Sequence, residues 1–258
     1  MTFTYVVSGF AVGALVGLTG VGGGSLMTPL LHLLFGISPT VAVGTDLAFA
    51  SVTKVAGTAA HRYHGNVHWN IVKLLCVGAL PAAVAATFAL RHFGALEKEI
   101  GLFIRYSIAT SVMLTVIAIL FRKRMQEWMT KHPERQLQGL PLAIATIVCG
   151  ALLGTLVTIS SIGAGAIGAT LLVLLYPRLS PAEIAGTDIA YAVPLTAIAA
   201  FGHWWLGSIN WELLAMLLLG SVPGITLGSL AARAMPEKLL RLLLAATLTT
   251  VAAKLVYS

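Results

Sequence analysis

Long apolar stretches follow one another along this chain of 258 residues, and nearly every window of about 19 residues outside 122–138 is apolar enough to cross a bilayer. Their punctuation predicts two series of helices. Each opens with a glycine-broken pair, 3–20 with 22–36 and 139–160 with 163–176, and continues with three long helices. These are 39–61, 70–91 and 101–121 in the first series, and 181–203, 211–232 and 238–256 in the second. At about 1.5 Å per residue, 22 residues reach roughly 33 Å and span the hydrocarbon, whereas the arm 22–36 reaches only about 22 Å.

The two series are copies. Residues 38–91 align without a gap onto 180–233, so that Ser38-Pro39 recurs as Ser180-Pro181, Gly44-Thr45-Asp46 as Gly186-Thr187-Asp188, and His61 as His203. Gly65 and Trp69 recur as Gly207 and Trp211, and Gly78, Pro81 and Arg91 as Gly220, Pro223 and Arg233. Upstream, GALVG at 13–17 echoes GALLG at 150–154, and Gly22-Gly23-Gly24 falls near Gly163-Ala164-Gly165. A broken pair begins and ends on one side, so three further crossings make each copy topologically odd, and the second copy must be inverted. The expected fold is an all-α polytopic membrane protein of two inverted repeats, 1–121 and 139–258, joined by a basic connector at 122–138.

Charge placement tests the inversion, because cytoplasmic turns carry the excess of lysine and arginine. Arg122, Lys123, Arg124, Lys131 and Arg135 assign the connector to the cytoplasm. Arg62, Arg178, Arg233, Lys238 and Arg241 then fall on the same side, and the turn 203–211, free of lysine and arginine, falls outside. The turn 91–100, with Arg91 and Lys98 beside Glu97 and Glu99, is the exception. Both termini are expected outside.

Composition agrees with this reading: 58% of residues are hydrophobic and 10% charged, against about a quarter charged in soluble domains. The net charge of +7 sits at the ends of apolar segments and acts as an orientation signal, so no nucleic-acid partner is implied. Cys76 and Cys149 lie inside apolar runs and read as small buried hydrophobes, not as a disulfide framework. MTFTYVVSGF has neither basic n-region nor cleavage site, and reads as the start of the first membrane element.

Candidate chemistry gathers at the breaks. Gly20, Gly22, Gly23, Gly24 and Ser25 interrupt the first pair, and Ser160, Ser161, Gly163 and Gly165 the second. Each helical glycine costs about 1 kcal/mol relative to alanine, and non-helical backbone at membrane depth survives only inside protein or along a water-filled cavity. Half-helix N-termini there favour an anion; close helix packing is the plainer reading. Ser180-Pro181 with Glu183 forms a capping box, and Ser38-Pro39 matches its first part. Counted from Ser38, Asp46 lies about 12 Å into a hydrocarbon core about 30 Å thick. Asp46 and Asp188 are therefore candidates for proton coupling, or for bonding backbone N–H groups freed by the breaks. Thr45 and Thr187 bond either substrate oxygens or the preceding turn. Lys54 either snorkels to the far surface or attracts an anion and pairs with Asp46; its counterpart is the uncharged Thr196. His61, His64 and His68 resemble metal-ligand spacing, but only His61 recurs, so they read as interfacial and no metal or cofactor site is assigned. Trp69, Trp204, Trp205 and Trp211 read as membrane-surface anchors. Gly163-Ala-Gly165-Ala-Ile-Gly168 fits a dinucleotide pattern, yet no strand precedes it and the first copy lacks it. No GxSxG elbow occurs, and no motif nominates an enzyme.

GALVGLTGVGGGSLMTPLL with the later GTDLA, echoed by GALLG and GTDIA, resembles the sulfite exporter family TauE/SafE over essentially the whole chain. The resemblance implies a multi-pass transporter of the bacterial cytoplasmic membrane that moves sulfur-containing anions such as sulfite or organosulfonates, generally outward. It also implies a central site lined by the glycine-broken segments; the second copy departs from the pattern, reading SSIGAGAIG. The expected substrate contacts are Gly22, Gly23, Gly24, Ser25, Thr28, Thr45, Lys54, Ser160, Ser161, Gly163, Gly165 and Thr187. Two other readings stay open: a metal or other cation carrier using Asp46 and Asp188, and an anion channel. The sequence leaves a homo-oligomer open as well.

Overall fold

The computed structural model describes residues 2–19, 24–93, 97–132, 134, 136–232, 246, 248–250 and 253–254. Among these, every regular element is helical: α1 Thr2–Thr19, α2 Gly24–Phe35, α3 Pro39–Tyr63, α4 Trp69–Phe93, α5 Glu97–Lys131, α6 Gly139–Ser160, α7 Ala166–Leu175, α8 Pro181–Trp205 and α9 Trp211–Ala232. Gly20, Gly22, Gly23, Arg233, Lys238, Arg241 and most of the expected helix 238–256 lie outside the described residues. The glycine-broken pairs are present as α1 with α2 and α6 with α7. Their second arms are short, 12 and 10 residues, or about 18 and 15 Å, well below the hydrocarbon thickness.

One boundary differs from expectation. α5 runs for 35 residues and carries Arg122, Lys123 and Arg124 on its own helical surface, so the first half of the basic connector is helix. The stretch from Phe121 through Trp128 to Lys131 contains no glycine or proline, and nothing local stops the helix from leaving the apolar layer. At α8 the start forms as expected: Ser180 Oγ accepts from the Glu183 N–H at 3.3 Å, and Glu183 Oε2 accepts from the Ser180 N–H at 2.8 Å.

Glycine sets the packing. α1 lies along α9, α6 along α4, and α3 along α8, and these are the most extensive pairings. A side chain on Gly9 or Gly13 of α1 would strike the backbone of Leu217 or Ser221 of α9. One on Gly150 or Gly154 of α6 would strike Leu75 or Ala79 of α4. Gly220 and Gly78 reply from α9 and α4, lying against the carbonyls of Val6 and Ile147. Leu217, Gly220 and Ser221 map onto Leu75, Gly78 and Ala79 by the repeat, while Gly9 and Gly13 take the places of Gly150 and Gly154, so α1 and α6 correspond one turn away from the register in which GALVG at 13–17 echoes GALLG at 150–154. Small residues hold both contacts, since helices in a bilayer gain little from burying apolar surface against each other.

The central pair, α3 and α8, consists of equivalent helices running antiparallel. Gly44 near the start of α3 packs on Ser208 and His203 beyond and at the end of α8, Gly57 faces Ile189, and Gly186 near the start of α8 packs on Asn66 and His61. The hydrogen bonds exchange in the same way. Thr45 Oγ1 accepts from the Asn210 N–H at 3.1 Å, and Thr187 Oγ1 accepts from the His68 N–H at 3.1 Å. Residue i of one copy meets j of the other while the counterpart of j meets the counterpart of i, which is the pattern of a two-fold axis.

The outer surface is apolar. Leu140, Leu152, Phe201, Leu219 and Val222 are each more than 60% exposed, which suits lipid contact. α4, α5, α6 and α8 are each long and apolar enough to cross a bilayer. Trp69, Trp204, Trp205 and Trp211 are exposed at helix ends, and the Arg91 guanidinium stacks 3.8 Å from the Trp205 ring centroid. That contact joins the last turn of α4 to the last residue of α8 at one end of the molecule.

Candidate functional site

Two carboxylates and one lysine are buried where α3 and α8 meet the broken pairs. Asp46 and Asp188 each sit seven residues into their helix, at 0% and 3% exposure. Asp46 Oδ2 accepts from the Thr28 hydroxyl on α2, which explains why the short second arm carries a threonine on its inner face. Asp46 Oδ1 and Asp188 Oδ1 have no hydrogen-bond partner among the described residues.

Lys54 stands two turns beyond Asp46 on α3. It is 6% exposed, and its Nζ donates to the Ala164 carbonyl at 3.0 Å. The surface-seeking placement that its distance along the helix allowed is therefore not the one adopted. The expected pairing of Lys54 with Asp46 does not form: no ion pair joins the ammonium to either carboxylate among the described residues, and both act on it only through space.

The break between α6 and α7 supplies the group that holds the lysine. Ser161 has φ 59°, Gly163 φ 132° and Gly165 φ 140°, and the last two conformations are open in practice only to glycine. Turning the chain in this way removes the Ala164 carbonyl from the helical ladder and points it at Lys54. Ser160 Oγ stays within the break, donating to the Leu156 carbonyl at 2.7 Å and accepting from the Ile162 N–H at 3.2 Å. Ser161 is buried beside Asp46, and its Oγ has no partner among the described residues.

The structure thus brings Thr28, Asp46, Lys54, Ser160, Ser161, Gly163, Gly165 and Asp188 together. Thr45 and Thr187 lie one residue away from the carboxylates, but their hydroxyls accept from the opposite turns. Gly24 begins α2; Gly22 and Gly23, and the side chain of Ser25, lie outside the described residues. The histidines disperse. His68 Nε2 donates to Glu183 Oε1 at 2.7 Å near the helix end, and His203 Nε2 donates to the Thr158 carbonyl at 2.9 Å. Among the described residues no three His, Cys, Asp or Glu side chains converge as metal ligands.

Three polar residues join the buried set without having been singled out in the sequence. Tyr191 is fully buried next to Asp188, and Ser111 and Thr115 are fully buried on α5, all with unpartnered hydroxyls among the described residues. A signal for Tyr191 existed: its counterpart in the first copy is Phe49, so the hydroxyl is a departure from the repeat.

Comparison with known proteins gives this arrangement its context. The family model described as sulfite exporter TauE/SafE matches residues 5–255. The probable membrane transporter protein YjnA of Bacillus subtilis (strain 168) is 38% identical over 232 residues, covering 89% of each chain. The probable membrane transporter protein YdhB of the same organism is 28% identical over 234 residues, covering 90% of this chain and 91% of its own. A probable membrane transporter protein of Xylella fastidiosa (strain Temecula1 / ATCC 700964) is 27% identical over 234 residues, covering 87% and 82%. No solved structure matches. A family match across nearly the whole chain, on a helical bundle with an apolar outer surface and a buried charged centre, places this chain in the sulfite exporter TauE/SafE family of membrane transporters.

Proposed function

We propose that this transporter moves small sulfur-containing oxyanions, such as sulfite or organosulfonates, outward across the bacterial cytoplasmic membrane by alternating access of two inverted repeats, with proton coupling through Asp46 and Asp188. The observation that carries the proposal is the placement of Lys54: a buried ammonium at the α6–α7 break, flanked by two buried carboxylates and the unpartnered Ser161 hydroxyl. Intramembrane charge of this kind is costly and marks ion pathways.

Charge counting links the groups. With both carboxylates ionised the centre carries one net negative charge and repels an anion; with one protonated it is neutral; with both protonated Lys54 is left as an uncompensated cation. An oxyanion entering then takes up the ammonium, with the Ser160, Ser161 and Thr28 hydroxyls and the backbone around Gly163 and Gly165 as donors. Gly22, Gly23, Gly24 and Ser25 of the first break are the remaining substrate contacts of this reading. Thr45 and Thr187 frame it by holding the opposite turns. The antiparallel course of α3 and α8 supports inverted copies, and rocking of one against the other exposes the centre to each side in turn.

Reconstituted protein loaded with sulfite tests the reading. Saturable sulfite flux that accelerates when a proton gradient is imposed supports it. Flux that neither saturates nor responds to the gradient points to a channel. Stabilisation by divalent metals but by no oxyanion turns the carboxylates into a cation site.

A further inference from the structure

Tyr191 is among the largest fully buried side chains, at 0% exposure, and its hydroxyl has no partner among the described residues. A buried hydroxyl without a hydrogen bond carries an uncompensated desolvation cost, so it needs a reason to be there. Packing is not the reason. The repeat provides an internal control, since Phe49 occupies the equivalent position in α3, is 1% exposed, and fills its site with the same ring and no oxygen.

What differs around the two rings is the neighbouring carboxylate. Asp46 receives the Thr28 hydroxyl. Thr170, which stands four residues after the start of α7 as Thr28 stands four after the start of α2, donates instead to the Ala166 carbonyl at 2.7 Å within its own helix. Asp188 has no such hydroxyl bond; its Oδ1 is unpartnered, as Asp46 Oδ1 is, but three residues along α8 stands the unpartnered Tyr191 hydroxyl, where α3 has only the Phe49 ring. Both oxygens converge on Gly168 of α7: a side chain there would collide with Asp188 Oδ1 and lie 3.0 Å from the Tyr191 hydroxyl. Glycine at 168 leaves the two groups free to meet.

We infer that Tyr191 is the positioning partner of Asp188, its phenol donating to the carboxylate when Asp188 is charged and accepting from the carboxylic acid when it is protonated. This deepens the proton-coupled reading above and rests on it. The other titratable groups facing Asp188 and Tyr191 are Lys54 on α3, Cys76 on α4 and Cys149 on α6, with Arg122 on α5 acting on Asp188 from farther away; α7 carries none. Lys54 alone among them is both charged and buried in the site, and it bonds the Ala164 carbonyl instead of Asp188, which leaves Asp188 Oδ1 open to Tyr191.

The test reads the carboxyl itself, with no substrate needed. Infrared difference titration of purified protein yields a protonated-carboxyl band, assigned to Asp188 by its loss in Asp188→Asn. In Tyr191→Phe this band is expected to change frequency and its titration midpoint to move by about one pH unit, the equivalent of one hydrogen bond to an ionised group. Thermal stability does not fall, as Phe49 foretells. An unaltered band and midpoint in Tyr191→Phe overturns the inference, as does a protonated-carboxyl band lost in Asp46→Asn but kept in Asp188→Asn. Sulfite flux of the unaltered protein that ignores a proton gradient removes the coupled reading beneath it, and that failure shows in the unaltered protein, apart from any effect of the variants.

Discussion

The two copies of this chain agree where they grip each other and differ where they meet charge. At the grip, Gly44 and Thr45 hold the turn at 208–210 just as Gly186 and Thr187 hold the turn at 66–68, with the same atoms and the same 3.1 Å bonds. At the centre, Asp46 has Thr28 and Asp188 has no such bond; the counterpart of Lys54 is the uncharged Thr196, and that of Phe49 is Tyr191. Packing constraints hold both copies to one geometry, because backbone contacts through glycine leave no room to drift. The centre is under no such restraint. A single cation can serve both carboxylates only if one copy supplies it, so asymmetry there is the condition for a site with one substrate.

The contrast can be broken most forcefully at Lys54. Lys54→Met removes the buried cation on which both carboxylates act, and sulfite flux in proteoliposomes should fall at least about 100-fold. Thr196→Met, its mirror, should keep most of the flux. If the two variants behave alike, the asymmetry has no functional weight. Gly44→Leu and Gly186→Leu push a side chain into backbone and should each destabilise by about 3 kcal/mol or more, read as equal drops in thermal unfolding midpoint in detergent. Unequal drops would show that the grip is less symmetric than its contacts. Thr45→Val and Thr187→Val each strand one backbone N–H and should cost about 1–3 kcal/mol, again equally, with flux retained in proportion to folded protein. A selective loss of oxyanion affinity in either would return these threonines to the substrate list. The smallest effect is expected at Arg91→Ala, which removes the stack on Trp205 and about 0.5–1 kcal/mol, with no change in flux.

Much of this organisation was legible because a duplicated sequence annotates itself. The ungapped match of 38–91 to 180–233 located α3, α4, α8 and α9, and the glycine runs located the breaks. Ser180, Pro181 and Glu183 announced their cap through purely local chemistry. Asp46 and Asp188 were visible because a carboxylate in an apolar run has no ordinary explanation. What stayed hidden depends on partners far away in sequence. The direction of Lys54 is decided by a carbonyl 110 residues later, and the use of Thr45 by an N–H 165 residues later. Tyr191 passed as one more aromatic in an apolar helix, since only its neighbour across α7 gives the hydroxyl a purpose. The extension of α5 was missed for a different reason, because bilayer length sets where an apolar run should end but not where a helix must.

The exchanged turns also bear on how the protein is made. Until the second copy is synthesised, Thr45 has no Asn210 to receive, Gly44 no Ser208 to lie against, and Lys54 no Ala164 carbonyl to bond. A half-translated chain therefore enters the membrane with a charged helix that lipid cannot satisfy. The insertion machinery must shelter α3, or leave it at the interface, until α6 to α8 arrive, and the last step of synthesis becomes the step that seats the first copy.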